Sequence, residues 1–332
     1  MELLPLTITD HCLWDDTLAQ FESAALFHES VWLDFIEQTQ KGKKYLFRLV
    51  EQGRAIGYFP AFILKKWPFA ILASPANGWN TSFMGPVMED PKRRTAPFIK
   101  TLDTFCQSQR IDHVEIASPI LDASLMLEAG FSCKRGKTML VDIDDPKIMF
   151  SRLKSEARTA IRKAKNHGLI VKESNDHAFV DRYYKQLTGV FARQKLAPTY
   201  PKERVASLFR LLKAKNQLLT LEVLYRGISI ASGVFPYGEK TVYFFGGAGI
   251  DAYRNLRPHD LLHYTLMTKA LELGIRHYDM EGTSAFKEKF GGYPIERLHF
   301  YKSYTTAAQT ARGLYERYFK IKQKIQGSLI HR

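Results

Sequence analysis

RPHDLLHYTLMTKALELGIRHYDMEGTSAFKEKFGGYPIERLHFYKSY, residues 257–304, decides the fold of this chain. It reads as a helix over 258–273, a strand over 276–281, a compact Phe/Lys/Gly loop and a strand over 297–304. Pro258 suits the first helical turn and Gly274 a C-terminal cap. Between them Leu261, Leu262, Leu266, Ala270 and Leu273 form one apolar stripe at helical spacing. The strand that packs beside this helix delivers Asp279, Glu281, Lys287 and Lys289 into one short polar region beside a glycine pair. α/β enzymes commonly present a site where a buried element empties into such a loop.

Working outward, the same grammar occurs twice. Residues 1–143 open with apolar periodicity from Leu18 to Ile36, followed by a hairpin of Lys44–Val50 and Ile56–Leu64 around the turn EQGRA. A turn-rich aromatic segment, SPANGWNTSFMGP, covers 74–86 and is read as a loop over a site or a buried irregular connection. A helix (91–109), a strand (113–117), a short helix (121–129) and a strand (137–143) complete this half. The second half gives helices at 147–166, 177–195 and 201–216. Strands at 218–225, 228–236 and 241–247 precede the deciding stretch. The expected class is therefore α/β with mixed, largely antiparallel sheets flanked by helices. The boundary falls near Asp144–Asp145–Pro146, where a strand ends and a helix is capped. This gives domains of 1–144 and 145–304, followed by a basic helix over 305–332 that packs back on them, with Leu314, Tyr318 and Ile321 on one side.

Composition bounds the function. Two domains are the expectation for 332 residues, and 45% hydrophobic with 25% charged residues is ordinary globular usage. Cys12, Cys106 and Cys133 lie far apart, which argues for a reducing compartment and against a disulfide framework or zinc site. Cys133 lies beside Lys134 and Arg135, which favour its thiolate, but no base accompanies it. No apolar run approaches the roughly 18–20 residues of a membrane span, and MELLPLTITDHCLWDD lacks a basic secretory start. A cytoplasmic protein is expected, with the inner face of the membrane as one place of work. The net charge of +14 favours anionic partners: nucleic acid, phosphorylated ligands or a membrane surface.

Residues 147–172 concentrate that charge, with eight basic side chains against one acid, Glu156. Phe150, Leu153, Ala157, Ile161 and Ala164 share an arc, and Lys154, Arg158, Arg162 and Lys165 form the stripe beside it. The stripe is read as a solvated helix flank or as a rail for a polyanion. His259 and His263 sit four apart like a zincin pair, but Asp260 stands where that mechanism needs Glu, so a non-metal role is expected. GGAGI (246–250) lacks the dinucleotide-binding pattern and is read as a turn, and no Walker A loop or GxSxG elbow occurs.

Four segments together resemble the FemAB family of aminoacyl- and acyltransferases, built from two GNAT-type domains. They are LKSEARTAIRKAKNHGLIV (153–171), FARQKLAPTYPKE (191–203), the helix RPHDLLHYTLMTKALELG running into YDMEG, and SAFKEKFGG (284–292). The resemblance implies two tandem GNAT-like domains and an acyl- or aminoacyl-transferase. Such an enzyme forms an amide on an amino group of a peptidoglycan, exopolysaccharide or other cell-envelope precursor. The implied donor is acyl-CoA or aminoacyl-tRNA, used as co-substrate, with no tightly bound cofactor and no metal. A lysine in the family's Phe-Lys…Phe-Gly element lies at the reaction centre, which corresponds here to Lys287 after Phe286, with Lys289 and Phe290 beside them. An ammonium aimed at a developing oxyanion favours the transition state over the ground state. Asp279 and Glu281 share one strand face and are read as proton acceptors or acceptor-binding groups, Asp279 equally as a partner of backbone N–H groups. Arg254 and Arg257 precede the helix at 258, where N–H groups bind phosphate, although the Gly-rich loop of acetyl-CoA GNATs is missing. Arg158, Arg162 and Lys165 complete the expected binding residues. Two other readings stand beside this one: a non-catalytic scaffold for an anionic ligand or RNA, and an acyl-CoA N-acyltransferase acting on a small-molecule or sugar amine. A peripheral membrane contact is among the expected partners.

Overall fold

Residues 1–6 and 13–314 are described by the structure, a computed structural model, and they fall into two units. Met1–Lys137 and the described residues from Glu296 onward form one unit, and Thr138–Ile295 the other. The first contains β1 (Glu2–Pro5), α1 (Trp14–Leu18), α2 (Ser30–Gln40), β2 (Lys43–Glu51), β3 (Arg54–Lys66), β4 (Phe69–Ser74), β5 (Val87–Met88), α3 (Pro91–Ser108), β6 (His113–Ala117) and α4 (Ala123–Glu128), and runs into β7 (Ser132–Asp142). The second contains α5 (Pro146–Arg152), α6 (Ser155–Asn166), β8 (Ile170–Glu173), α7 (Ala178–Arg193), α8 (Lys202–Ala214), β9 (Leu218–Tyr225), β10 (Ile228–Pro236), β11 (Thr241–Tyr243), β12 (Gly246–Gly249), α9 (Pro258–Glu272), β13 (His277–Asp279) and α10 (Ala285–Glu288), and leads into β14 (Tyr293–Ser303). β7 and β14 contribute residues to both units.

In the first unit β2 pairs with β1 and β3, β4 extends β3, β6 runs parallel to β4, and β14 returns antiparallel to β6. The sheet is thus mixed and mostly antiparallel. Phe47, Phe59, Leu72, Val114, Ile116 and Phe300 bury its inner face against Phe98 and Leu102 of α3. The 74–86 segment is a buried irregular connection: Met84 and Gly85 both donate their N–H groups to Ala117 O, and Trp79 is buried.

In the second unit β8, β9, β10 and β12 form an antiparallel sheet, while β13 pairs parallel with β11 and antiparallel with Leu140–Asp142 of β7. The arc read from the sequence is the buried face of α6. Leu153, Ala157, Ile161 and Ala164 join Leu261, Leu262, Leu266 and Ala270 of α9 in one core.

Three expectations change. The helix read over 147–166 is two helices, because Leu153 and Lys154 are extended and Lys154 N–H donates to Lys289 O, which ties the break to the 284–292 loop. The strand read over 241–247 is also two. β11 pairs with β13, then Phe244 N–H donates to Asp279 O and Phe245 N–H to Val234 O, and β12 continues on β10. The chain changes partner strand at the two phenylalanines, so Gly246–Gly249, read as a turn, is itself a strand. Of the basic tail helix expected over 305–332, residues 306–314 are helical, and Tyr318 and Ile321 lie outside the described residues.

Candidate functional site

The partner change between β11 and β12 opens a cavity of about 500 Å³ within the second unit. It is lined by Gly247, Ala248 and Gly249 of β12, by the first turns of α9 and by Phe286 and Lys287 of α10. The glycines allow close approaches here. A Cβ on Gly249 would lie 2.8 Å from His259 Nε2, and one on Gly247 would lie 3.2 Å from the Phe244 ring.

α9 starts abruptly. Arg257 is in the left-handed region at φ 62°, Pro258 takes the first helical position, and the free N–H groups of the first turn open beside the cavity. Arg193, Arg254 and Arg257 stand on the cavity wall with this positive helix end. Arg193 pairs with Asp251 at 3.7 Å and Arg257 with Asp260 at 3.3 Å. A buried carboxylate needs compensating charge, and Lys289 supplies it alongside Arg257: both side chains of the Lys289–Asp260 ion pair are buried. Lys289, expected among ligand-binding residues, is therefore a hidden counter-ion, with its ammonium 4.0 Å from the Phe286 ring centre.

Lys287 faces the cavity. Ser284 Oγ accepts Lys287 N–H at 3.3 Å and caps α10, and Lys287 Nζ donates to Glu281 O at 2.7 Å over the Phe244 ring. That carbonyl is presented by a tight turn, with Glu281 at φ 53° and Gly282 at φ 107°. The fully buried Asp279 builds the turn, accepting from Glu281 N–H at 2.8 Å and from Thr138 Oγ1, whose oxygen accepts Gly282 N–H at 2.9 Å. Asp279 thus serves the backbone N–H of Glu281 directly and that of Gly282 through Thr138, and Glu281 reaches Lys287 through its carbonyl. Burial lowers the Lys287 pKa from its ordinary value, partly opposed by Glu281 and Asp279.

His263 completes the floor, one helical turn beyond His259. Phe244, Phe286 and Phe290 surround its ring at centroid distances of 5.2, 5.4 and 5.3 Å. Burial holds its pKa well below the usual value, reinforced by His259, Lys287 and Lys289; burial lowers that of His259 as well. His263 Nδ1 lies 2.7 Å from the hydroxyl of Tyr278, whose ionisation burial pushes well up. The two groups share one hydrogen bond, and in the tautomer in which the phenol donates, the imidazole proton sits on Nε2. His263 is thus neutral, and in that tautomer it offers Nε2–H as a donor. The i, i+4 histidine pair, for which a non-metal role is expected from the sequence, is the signal that marks this residue.

The remaining expected residues separate cleanly. Arg254, Arg257, Phe286 and Lys287 line the cavity, and the fully buried Phe290 lies under His263. Arg158 donates to Ser151 O and Leu153 O, so it secures the helix break. Arg162 and Lys165 are exposed on α6, over the rings of Phe150 and Tyr264, on the flank that Lys154 shares while approaching Glu288 at 3.7 Å. Among the described residues no group of three His, Cys, Asp or Glu side chains is arranged to hold a metal ion. Cys133 has its thiol pKa raised by burial, which outweighs Arg135.

This geometry has relatives. Residues 151–290 match the family model described as an acetyltransferase (GNAT) domain. A crystal structure of FemX superposes with a TM-score of 0.72 at 14% identity, covering 90% of this chain and 97% of that one. A tandem GNAT protein from the clavulanic acid biosynthesis pathway gives a TM-score of 0.56 at 11% identity, covering 91% and 98%. The C-terminal domain of a putative lysylphosphatidylglycerol synthetase from Agrobacterium fabrum also gives 0.56, at 14% identity, covering 92% and 95%. No curated protein matches the sequence. Residues 151–290 thus match a GNAT acetyltransferase domain, and the chain has the fold of FemX and of the tandem GNAT protein.

Proposed function

We propose that this protein is an N-acyltransferase whose donor enters the cavity at the start of α9 and whose acyl carbon reacts between Lys287 and His263. The observation that carries this reading is the convergence on one cavity of a helix N-terminus with three arginines and of a lysine with a neutral imidazole. Phosphates of an acyl donor suit the first, and a developing oxyanion suits the second.

In the reaction the acceptor amine attacks the acyl carbon, the C–N bond forms and the carbonyl oxygen gains negative charge. Lys287 Nζ–H and His263 Nε2–H are the donors available to that oxygen. On collapse the bond to the leaving thiolate or alkoxide breaks, and the lowered Lys287 pKa suits proton delivery to it. The amine's excess proton leaves through water at the cavity mouth. The acceptor is an amino group on a cell-envelope or polysaccharide precursor.

Acyl-CoA and aminoacyl-tRNA both carry the required phosphates. The exposed Arg162 and Lys165 on α6 favour the longer polyanion, because a CoA phosphate group needs only the α9 end. Native mass spectrometry of the purified protein, followed by titration with CoA thioesters and with aminoacyl-tRNA, decides between them. Binding of either donor that weakens on R254A/R257A supports the reading, and binding of neither refutes it.

A further inference from the structure

We propose that the β3–β4 hairpin is a membrane-docking finger that recognises an anionic phospholipid surface. β3 and β4 outrun their neighbours: the last β2 residue to pair with β3 meets Ile63, and β6 begins pairing with β4 at Ile71. Lys65–Phe69 therefore project as a two-stranded ribbon closed by the turn Trp67–Pro68, with Lys66 paired to Phe69.

Trp67 sits at the tip and is 95% exposed, the highest value among the large apolar side chains described. The other three tryptophans, Trp14, Trp32 and Trp79, are at most 5% exposed, so an indole left in water is an exception in this chain. An exposed tip gains nothing in folding from a tryptophan, whereas a bilayer interface accommodates an amphipathic ring at headgroup level.

The charges around it match such a surface. Lys65 and Lys66 precede Trp67 on the finger, Lys41 and Lys43 lie where Gly42 meets Leu64, and Arg110 stands two residues before Asp112, whose N–H donates to Ala70 O. All five side chains are exposed. Asp34 and Glu37 hold Lys44, and Asp112 accepts Ala70 N–H at 2.8 Å. A basic rim around a single aromatic wedge is complementary to phosphate headgroups over acyl chains. The finger belongs wholly to the first unit, so the inference is independent of the acyl-transfer reading.

Vesicle co-sedimentation tests it without any substrate. The protein is expected to sediment with vesicles of phosphatidylglycerol and phosphatidylcholine and to stay in solution with phosphatidylcholine alone, and added salt should release it. W67A and K65E/K66E should each keep the wild-type melting temperature. W67A should weaken binding on the order of tenfold, and the lysine pair on the order of fivefold or more per charge. Failure of the wild type to bind anionic vesicles, or equal binding by W67A, overturns the proposal. A Trp67-dependent dimer in sedimentation equilibrium, without vesicle binding, overturns it in favour of protein contact.

Discussion

Lys289→Met separates two lysines that lie two residues apart and do different work. In the wild type the Lys289 ammonium and the Asp260 carboxylate are each 4% exposed and paired. Methionine replaces the aliphatic stem well but leaves Asp260 without its main counter-ion. Breaking a buried pair from one side typically costs about 3–5 kcal/mol. Arg257 Nε stays 3.3 Å from the other carboxylate oxygen, so the lower end applies, about 3 kcal/mol. For a unit the size of Thr138–Ile295 that corresponds to roughly 6–12 °C in Tm. Urea and thermal unfolding followed by circular dichroism read the loss. The double variant K289M/D260N should recover most of it, since two neutral groups replace the stranded charge. A single variant that melts within about 2 °C of wild type, or a double variant no better than the single, would refute the assigned role.

Lys287→Met should lower kcat by about 10²–10³-fold with little change in KM, as read by steady-state kinetics, because its contact strengthens only in the transition state. The activity that depends on its ammonium should decline with rising pH through a pKa below that of an ordinary lysine, visible in the pH profile of kcat. His28 is buried with its pKa lowered to about 4, so the unfolded chain binds the proton first. Stability should therefore fall as pH drops from about 6.5 to 4, by roughly 3 kcal/mol, and His28→Gln should flatten that limb in denaturation curves. Charge reversal at Arg162 and Lys165 should weaken binding of a polynucleotide donor at low salt and matter less at high salt, as filter binding would show; unchanged binding at low salt assigns the flank to solvent.

Much of the fold was legible because apolar periodicity is local. The arc of α6, the stripe of α9 and the β2–β3 hairpin all follow from residues a few positions apart. What was not legible depends on distant partners. The break at Leu153–Lys154 exists because Lys289 O accepts a bond 135 residues further along the chain, and the split at Phe244–Phe245 exists because β13 ends there and β10 continues. Site residues followed the same rule. The Phe-Lys element drew attention to Lys287, but nothing local distinguished it from Lys289. The sorting comes from Asp260, 29 residues earlier, which takes one ammonium, and from the Asp279–Thr138 turn, which offers a carbonyl to the other. The non-metal role of His263 follows from the sequence, but its place as a donor rests on Tyr278, a partner on a different element.

The most direct test of the central claim is a single-turnover measurement of amide formation from donor bound before the amine is added, with the donor Kd determined on the same samples. The account predicts that Lys287→Met binds the donor within about threefold of wild type yet forms amide at least about 10²-fold more slowly. Unchanged amide formation by this variant, with donor still saturating, would contradict it.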